Sequence, residues 1–565
     1  MNRADHLRRL QAERFDLLVV GGGATGCGSA LDAATRGLRV ALVERADFGS
    51  GTSSRSTKLV HGGVRYLEQA VKRIDRSQFR LVREALRERQ ALLELAPHLV
   101  HELPIFVPLY QLGQHPYYRI GLRLYDRLAG KYSLHRSEFV PREHVMTRFP
   151  YLREEVRGHG PPRRLRGGVV YHDGQFDDAR MNLALALTAA EQGAAIANYV
   201  TVEGFTTDAR GRITGAAVRD QLTGNAWPIR ARVVLNAAGP YVDDLRALDE
   251  ETSAPLLRVS AGTHLVLGPR FPAPDTGFLI PRTEDGRVIF VLPWQRRLLV
   301  GTTEVSAPVT EDPVPTPREV HYLLDHLNSY LNVPVRADDV ASAWTGLRPL
   351  IAAPPRRVAG GRRRRRGTAA LTRDHYLTES RAGLVTVAGG KWTTYRVMAV
   401  HAVNRAVAAG GLAVRNVSHT RTTPLAGAAG YRPDADGLQR RHRLPADVAR
   451  HLDTTYGDRA TAVARLAAAG HRARLASRYP YLEAEALYAA RQEAACTVDD
   501  VLSRRTRLAF LDSAAALASV PRVAELMAGE LNWSVAERHR QEAAAAARLH
   551  ATWAAIAAGG VPLSD

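Results

Sequence analysis

Residues 14–65 read RFDLLVVGGGATGCGSALDAATRGLRVALVERADFGSGTSSRSTKLVHGGVR, and this stretch decides the fold. Phe15 to Val20 is a short apolar run rich in branched side chains and ended by glycine, the pattern of a buried parallel strand. Gly21, Gly22, Gly23, Ala24, Thr25 and Gly26 follow and fit G-x-G-x-x-G. Gly21 permits the tight turn, Gly23 lets backbone approach a pyrophosphate, and Gly26 lets a helix pack on the strand. Ala24 to Arg36 reads as that helix, stopped by Gly37, and Arg39 to Val43 as a second strand ending at Glu44. Amides at the helix start would face the phosphates. A carboxylate at Glu44 can accept hydrogen bonds from both ribose hydroxyls and would repel a 2′-phosphate. The expected ligand is an unphosphorylated adenosine dinucleotide. No second strand-plus-glycine fingerprint for NAD appears in the sequence, which favours one tightly held flavin.

Composition sets the outer limits. The chain has 565 residues, 45% hydrophobic and 24% charged, enough for two or three cored domains and unlike a disordered protein. Its two cysteines, Cys27 and Cys496, make neither a disulfide framework nor a cysteine metal site, and point to a reducing compartment. Cys27 reads as a small packing residue, and no metal site is visible. Lys and Arg number 77 against 57 Asp and Glu, a net charge of +20 that attracts anionic membranes, nucleic acids and anionic metabolites. No apolar run approaches the roughly 20 residues that span a bilayer, and Met1 to Arg14 has no signal-peptide core. A cytosolic or peripheral membrane location is expected.

Beyond Glu44, Thr52 to Tyr66 is polar, with His61 and Arg65 bracketing Gly62 and Gly63: one side chain can accept a proton, the other can grip an anion. Gln69 to Pro97 has helical period. Within Pro104 to Arg136, Arg119, Arg123 and Arg127 would share one helix face; an interfacial helix and a solvated face over ordinary core both fit. Arg166 to Tyr171 reads as a strand, Asp177 to Gln192 as a helix, and Arg232 to Pro240 as a buried strand emptying into a turn. Leu257 to Leu267, which carries His264, Val288 to Pro293 and Leu298 to Thr303 suggest an antiparallel sheet. Arg356, Arg357 and Arg362 to Arg366 form a basic run expected in an exposed insertion, since burying so many unpaired guanidinium groups is prohibitive. Leu384 to Arg396 repeats the strand–glycine–helix order. Thr422 to Gly437 reads as a linker, and the remainder is helical, with capping boxes at Thr497 to Asp500 and Ser534 to Glu537.

Six separated motifs, KLVHGGVRYLEQA, VYHDGQFDDARMNLA, DGRVIFVLPWQ, WTGLRPL, AGGKWTTYR and ACTVDDVLSRRTRLAFLD, occur in the order in which they stand in the FAD-dependent glycerol-3-phosphate dehydrogenases. The chain resembles the long, mitochondrial form of that family from Phe15 to Arg548. The implied fold is α/β: a discontinuous Rossmann-like FAD-binding domain (1–100, 165–255 and 375–420), an antiparallel-sheet substrate and membrane-facing domain (101–164 and 256–374), a linker (421–437) and an all-α C-terminal domain (438–565). FAD is the implied cofactor, held by Gly21, Gly23, Gly26, Glu44, Thr52, Ser53, Lys58, Gly62, Gly239, Gly389, Gly390 and Thr393.

The resemblance also implies oxidation of sn-glycerol 3-phosphate, with Arg65, Tyr66 and Lys391 on the phosphate. His61 is favoured as base, while Arg348 or His264 could polarise the alkoxide instead. Electrons would pass to respiratory quinone from the cytoplasmic face of the inner membrane, held to its anionic surface peripherally; a homodimer is compatible with this. An oxidase that hands the electrons to oxygen is the near alternative. No EF-hand loop follows the helical region, so calcium control is not expected. A nucleic-acid-binding flavoprotein is disfavoured because the basic run lacks interleaved aromatics and no RNA-reading motif accompanies it.

Overall fold

The computed structural model describes residues 1–63, 76–111, 114–158, 160–250, 253–281, 283, 286–352 and 375–560. Arg65, Tyr66 and the basic run Arg356 to Arg366 lie outside these residues.

The run expected to form a buried strand does so as Arg14–Val20, parallel to Val40–Val43 on one side and to Ala226–Asn236 on the other. Ala195–Ala197 and Leu384–Gly389 extend the parallel centre, and with antiparallel strands added the sheet has eight strands among the described residues. Small residues make the layer beside it. Helix Ala24–Thr35 packs between helices Asp178–Glu191 and Tyr395–Gly410, and a Cβ at Gly28 would lie 2.8 Å from the Tyr395 ring. Ala30, Ala33 and Cys27 on the same helix are fully buried. The helix beginning near Asp177 is capped by that residue, whose carboxylate accepts the amides of Ala179 and Arg180.

Among the described residues, a second sheet has ten strands and is mostly antiparallel. It includes the long pair Leu257–Leu267 and Val340–Ile351, together with Ile289–Trp294 and Arg297–Gly301. Gly167–Phe176 pairs with Val100–Leu109 in this sheet, and Leu59–Val60 pairs with Gly167–Phe176. Segments 59–60 and 167–176, which the expected boundaries give to the cofactor domain, therefore cross into the second sheet. The polar stretch after Glu44 becomes a strap running from one sheet to the other.

The C-terminal region is helical, from Ala435–His442 to Val535–Gly559. The stretch before it is stitched down: the Leu425 amide donates to the Leu95 carbonyl and the Ala426 amide to the Thr188 hydroxyl, with both side chains buried. Thr497 and Asp500 exchange capping hydrogen bonds, and Ser534 accepts the Glu537 amide. Among the described residues, no helix is long and apolar enough to cross a membrane.

Buried charge fastens these helices to the nucleotide-binding layer. Asp47 accepts hydrogen bonds from Arg504 and Arg505, and Arg180 binds Glu493 through its two terminal guanidinium nitrogens, each at 2.8 Å. Burial alone would push the Asp47 carboxyl up, yet Arg505 and Arg504 hold it below the usual carboxylate range. A depressed folded pKa contributes stability that is present above the unfolded carboxylate value near 3.9 and is lost as pH falls through the folded one. Asp47→Asn removes the carboxylate that Arg504 and Arg505 share, leaving Arg504 to Asp499 and Asp500 and Arg505 to the more distant Glu493, so chemical denaturation at neutral pH should show a loss of about 1.5–3 kcal/mol. The deficit relative to wild type should shrink on acidification below about pH 4.

Candidate functional site

A cavity of about 600 Å³ opens at the carboxyl ends of the parallel strands, where doubly wound folds bind nucleotides. Gly21 and Gly23 line it on one side, Gly239, Gly389 and Gly390 on another. Gly21 has φ of +112°, and a Cβ there would sit 2.6 Å from the Ala237 carbonyl oxygen. A Cβ at Gly26 would collide with the Gly21 carbonyl, so only glycine lets the helix start so close to the strand. The wall is a cradle of backbone sized for a flat, phosphate-bearing ligand, and the residues present fit FAD.

Glu44 lies on this wall with its carboxylate anchored by the amides of Gly22 (2.6 Å) and Ala46 (2.9 Å). Burial pushes its carboxyl up, and the two amides oppose that shift. Each carboxylate oxygen retains acceptor capacity for a hydroxyl. Ser53 accepts the Ala24 amide at 2.9 Å, and Thr52 donates to the Leu347 carbonyl at 2.5 Å; both residues line the cavity. Lys391 and Trp392 close it, the Trp392 indole donating to the Ser53 carbonyl.

Lys58 stands elsewhere. Its ammonium donates to the Ser54 carbonyl and to both oxygens of Asp178, under the rings of Trp344, Trp294 and Phe510. Three acceptors use all three donors, so none is left for a cofactor. This corrects the expectation of a cofactor contact: burial draws the pKa of Lys58 down to about 7 against the pull of Asp178. Gly62 and Thr393 also stand back from the cavity wall. Gly62 donates its amide to the Tyr125 hydroxyl at 2.8 Å, and Thr393 accepts the His61 amide at 3.2 Å.

The second sheet supplies the neighbouring wall. Ser260 pairs with Arg348 and His264 with Trp344, so period-two alternation puts Arg348, Gly346, Gly262 and His264 on one face. The Arg348 side chain lies across Gly262, where any Cβ would strike the guanidinium, and donates to the Thr302 hydroxyl at 2.9 Å. His264 is 2% exposed, stacks on Trp344 with centroids 5.3 Å apart, and meets the Thr57 hydroxyl through Nε2 at 2.9 Å. Burial, with Arg348 and Lys58 nearby, holds its ring well below the usual histidine range, so it is neutral. Pro349, next to Arg348, reaches the cavity wall. His61 is half-buried where the strap meets the 391–394 turn.

Sequence reasoning missed the residue that holds the strap. Asp178 is fully buried, and its carboxylate gathers Lys58, Arg507 and the Ser56 amide. The signal was the doubled acid in QFDDARM: Asp177 is consumed as helix cap, which leaves Asp178 to explain.

A family model for FAD-dependent oxidoreductases matches residues 16–396, and one described as the C-terminal domain of alpha-glycerophosphate oxidase matches residues 418–538. The chain is 47% identical to a probable mitochondrial glycerol-3-phosphate dehydrogenase of Caenorhabditis elegans, over 95% of this chain and 74% of that one. It is 43% identical to a mitochondrial glycerol-3-phosphate dehydrogenase of Arabidopsis thaliana, over 94% and 85%. The solved glycerol-3-phosphate dehydrogenase of Bacillus halodurans, complexed with FAD, superposes with a TM-score of 0.77 at 29% identity, covering 100% of this chain and 98% of that one. Fold, glycine cradle and family match define an FAD-dependent oxidoreductase. Within that class the chain belongs to the glycerol-3-phosphate dehydrogenase family, and its cofactor is FAD.

Two variants separate the cradle from the strap. Gly26→Val should purify with less than about a tenth of the wild-type flavin per chain, read from its visible absorbance, because the helix start must move away from Gly21. Lys58→Met should keep its flavin while its thermal midpoint falls. Loss of flavin at unchanged stability would return Lys58 to the cofactor contacts.

Proposed function

We propose that the protein oxidises sn-glycerol 3-phosphate at its secondary carbon, giving dihydroxyacetone phosphate, and that the electrons pass to respiratory quinone. The observation that carries this reading is the join between the glycine-built cavity and the Arg348 and His264 face, with Lys391 at the closing edge. Bound FAD supplies the acceptor for the hydride that leaves the secondary carbon.

The chain's own side chains do the rest. A phosphate dianion needs several cations, and Arg348 with Lys391, joined by Arg65 and the neutral donor Tyr66 from the sequence motif, would hold it. His61 takes the hydroxyl proton, a role suited to an imidazole near working pH. His264 serves as a neutral partner that orients the alcohol, since protonating it would set another cation beside Arg348 and Lys58. An oxidase that delivers the electrons to oxygen would use the same alcohol-handling residues.

Peripheral membrane attachment at the cytoplasmic face belongs to the same proposal. Helix Gln114–Ala129 buries Leu122, Tyr125 and Ala129 and exposes Arg119, Arg123 and Arg127 beside Ile120, which is 69% exposed. Arg83, Arg87, Arg127 and Lys131 border a cavity of about 390 Å³ at the end of that helix. Each such cation contributes about 1 kcal/mol near an anionic bilayer.

Anaerobic addition of sn-glycerol 3-phosphate should bleach the yellow absorbance, whereas glycerol should not; an unchanged spectrum with both would remove the substrate assignment. Arg348→Ala should keep its flavin and lose about a hundredfold in kcat/KM, the scale of one ~3 kcal/mol charge-assisted contact. Quinone reduction without peroxide release distinguishes the dehydrogenase from the oxidase. Pelleting with anionic liposomes at low salt, reversed by high salt, tests attachment.

A further inference from the structure

Away from the cavity, three side chains with metal-ligating atoms converge on the outer face of the second sheet. Glu102 lies on Val100–Leu109 and His172 on Gly167–Phe176; Glu102 pairs with Gly174 and His172 with Pro104, so the two are diagonal neighbours on one face. His135 arrives from the segment between Gly130–Tyr132 and strand Glu138–Pro141. One ligand atom from each residue lies within 4.8 Å of the other two. His135 Nδ1 meets Glu102 Oε1 at 2.6 Å, and the two imidazole centroids are 5.0 Å apart. His172 Nδ1 is buried and has no hydrogen-bond partner, although this polar corner would readily satisfy a donor or acceptor. Nothing in the proposed oxidation uses these groups.

Two imidazoles and one carboxylate are the ligand set of a three-coordinate zinc site that keeps a position for water. Nitrogen donors select zinc-like cations over magnesium or calcium, which prefer all-oxygen shells. His135, with its side chain 70% exposed and already beside Glu102 and the His172 ring, can close on the other two.

The position links this corner to the flavin side. His172 and Asp173 are successive strand residues, so they point to opposite faces. On the inner face Asp173 accepts the Tyr125 hydroxyl at 2.9 Å and Arg89 at 2.8 Å, and the Tyr125 hydroxyl in turn accepts the Gly62 amide at 2.8 Å. Gly62 adjoins His61. Arg89 also donates to the carbonyls of His172 and Tyr132, so strand, loop and inner carboxylate share one guanidinium. We propose that Glu102, His135 and His172 bind one zinc-like divalent cation, and that its occupation lowers turnover by shifting the strand that carries Asp173 and, through Tyr125, the His61–Gly62 turn.

Calorimetric titration of the chelator-washed flavoprotein with zinc chloride tests the site. Wild type should bind one zinc per chain, His135→Ala should bind it at least about tenfold more weakly, and magnesium should give no comparable isotherm. With sn-glycerol 3-phosphate as substrate, zinc should slow wild type reversibly, with recovery on EDTA. His135→Ala should retain basal turnover and resist zinc. Indistinguishable isotherms for wild type and variant would overturn the site, and His135-dependent binding that leaves wild-type turnover unchanged would overturn the coupling. The turnover arm rests on the proposed substrate and the titration does not, so a His135-dependent isotherm in a protein that fails to oxidise glycerol phosphate would reject that substrate and keep the site.

Discussion

One buried carboxylate holds three parts of this molecule in register. Asp178, at the start of a helix of the nucleotide-binding layer, binds Lys58 of the strap and Arg507 of the C-terminal region, and also accepts the Ser56 amide. Lys58 and Asp178 are wholly inaccessible to solvent and Arg507 almost so. Removing charges from water is expensive, and such a cluster adds little net stability over a well-packed apolar substitute. Its contribution here is positional: Ser56 and Lys58 cannot slide along the strap without stranding a charge.

With its middle fixed, the strap can bond at both ends. Thr52 reaches Leu347, Arg55 reaches the Thr345 carbonyl, Thr57 meets His264, and His61 is tied to Thr393. Each bond joins the segment after the nucleotide fingerprint to a strand or turn more than two hundred residues away in sequence. The cavity wall and the Arg348 face thus meet along a line drawn by one short polar segment.

Charge follows the same logic. The surplus of basic residues suggests a surface suited to anions, and Arg119, Arg123 and Arg127 are indeed exposed. Yet Arg89, Arg180, Arg504, Arg505 and Arg507 are buried and paired with Asp173, Glu493, Asp47 and Asp178. These arginines are internal fasteners, and each meets a buried carboxylate, with Arg504 and Arg505 sharing Asp47. The net charge is borne by the surface, while these five arginines are architecture.

Local pattern carried the nucleotide-binding unit. The apolar run of Phe15 to Val20, the glycines at 21, 23 and 26, and the acid at 44 are read within one short stretch because strand, turn and helix are formed by neighbours in sequence. The alternating strands around His264 and the helical C-terminal region were legible for the same reason. What the sequence could not decide was partnership. Lys58 looked like a cofactor ligand because its acceptor, Asp178, stands 120 residues away. Thr422 to Gly437 looked like a linker, although Leu425 and Ala426 are held by Leu95 and Thr188. Glu102, His135 and His172 share no local motif, and only strand pairing brings the first and last to one face. Periodicity and turn chemistry act over a few residues, whereas the burial and pairing of charged side chains depend on which distant segments the packed sheets set side by side.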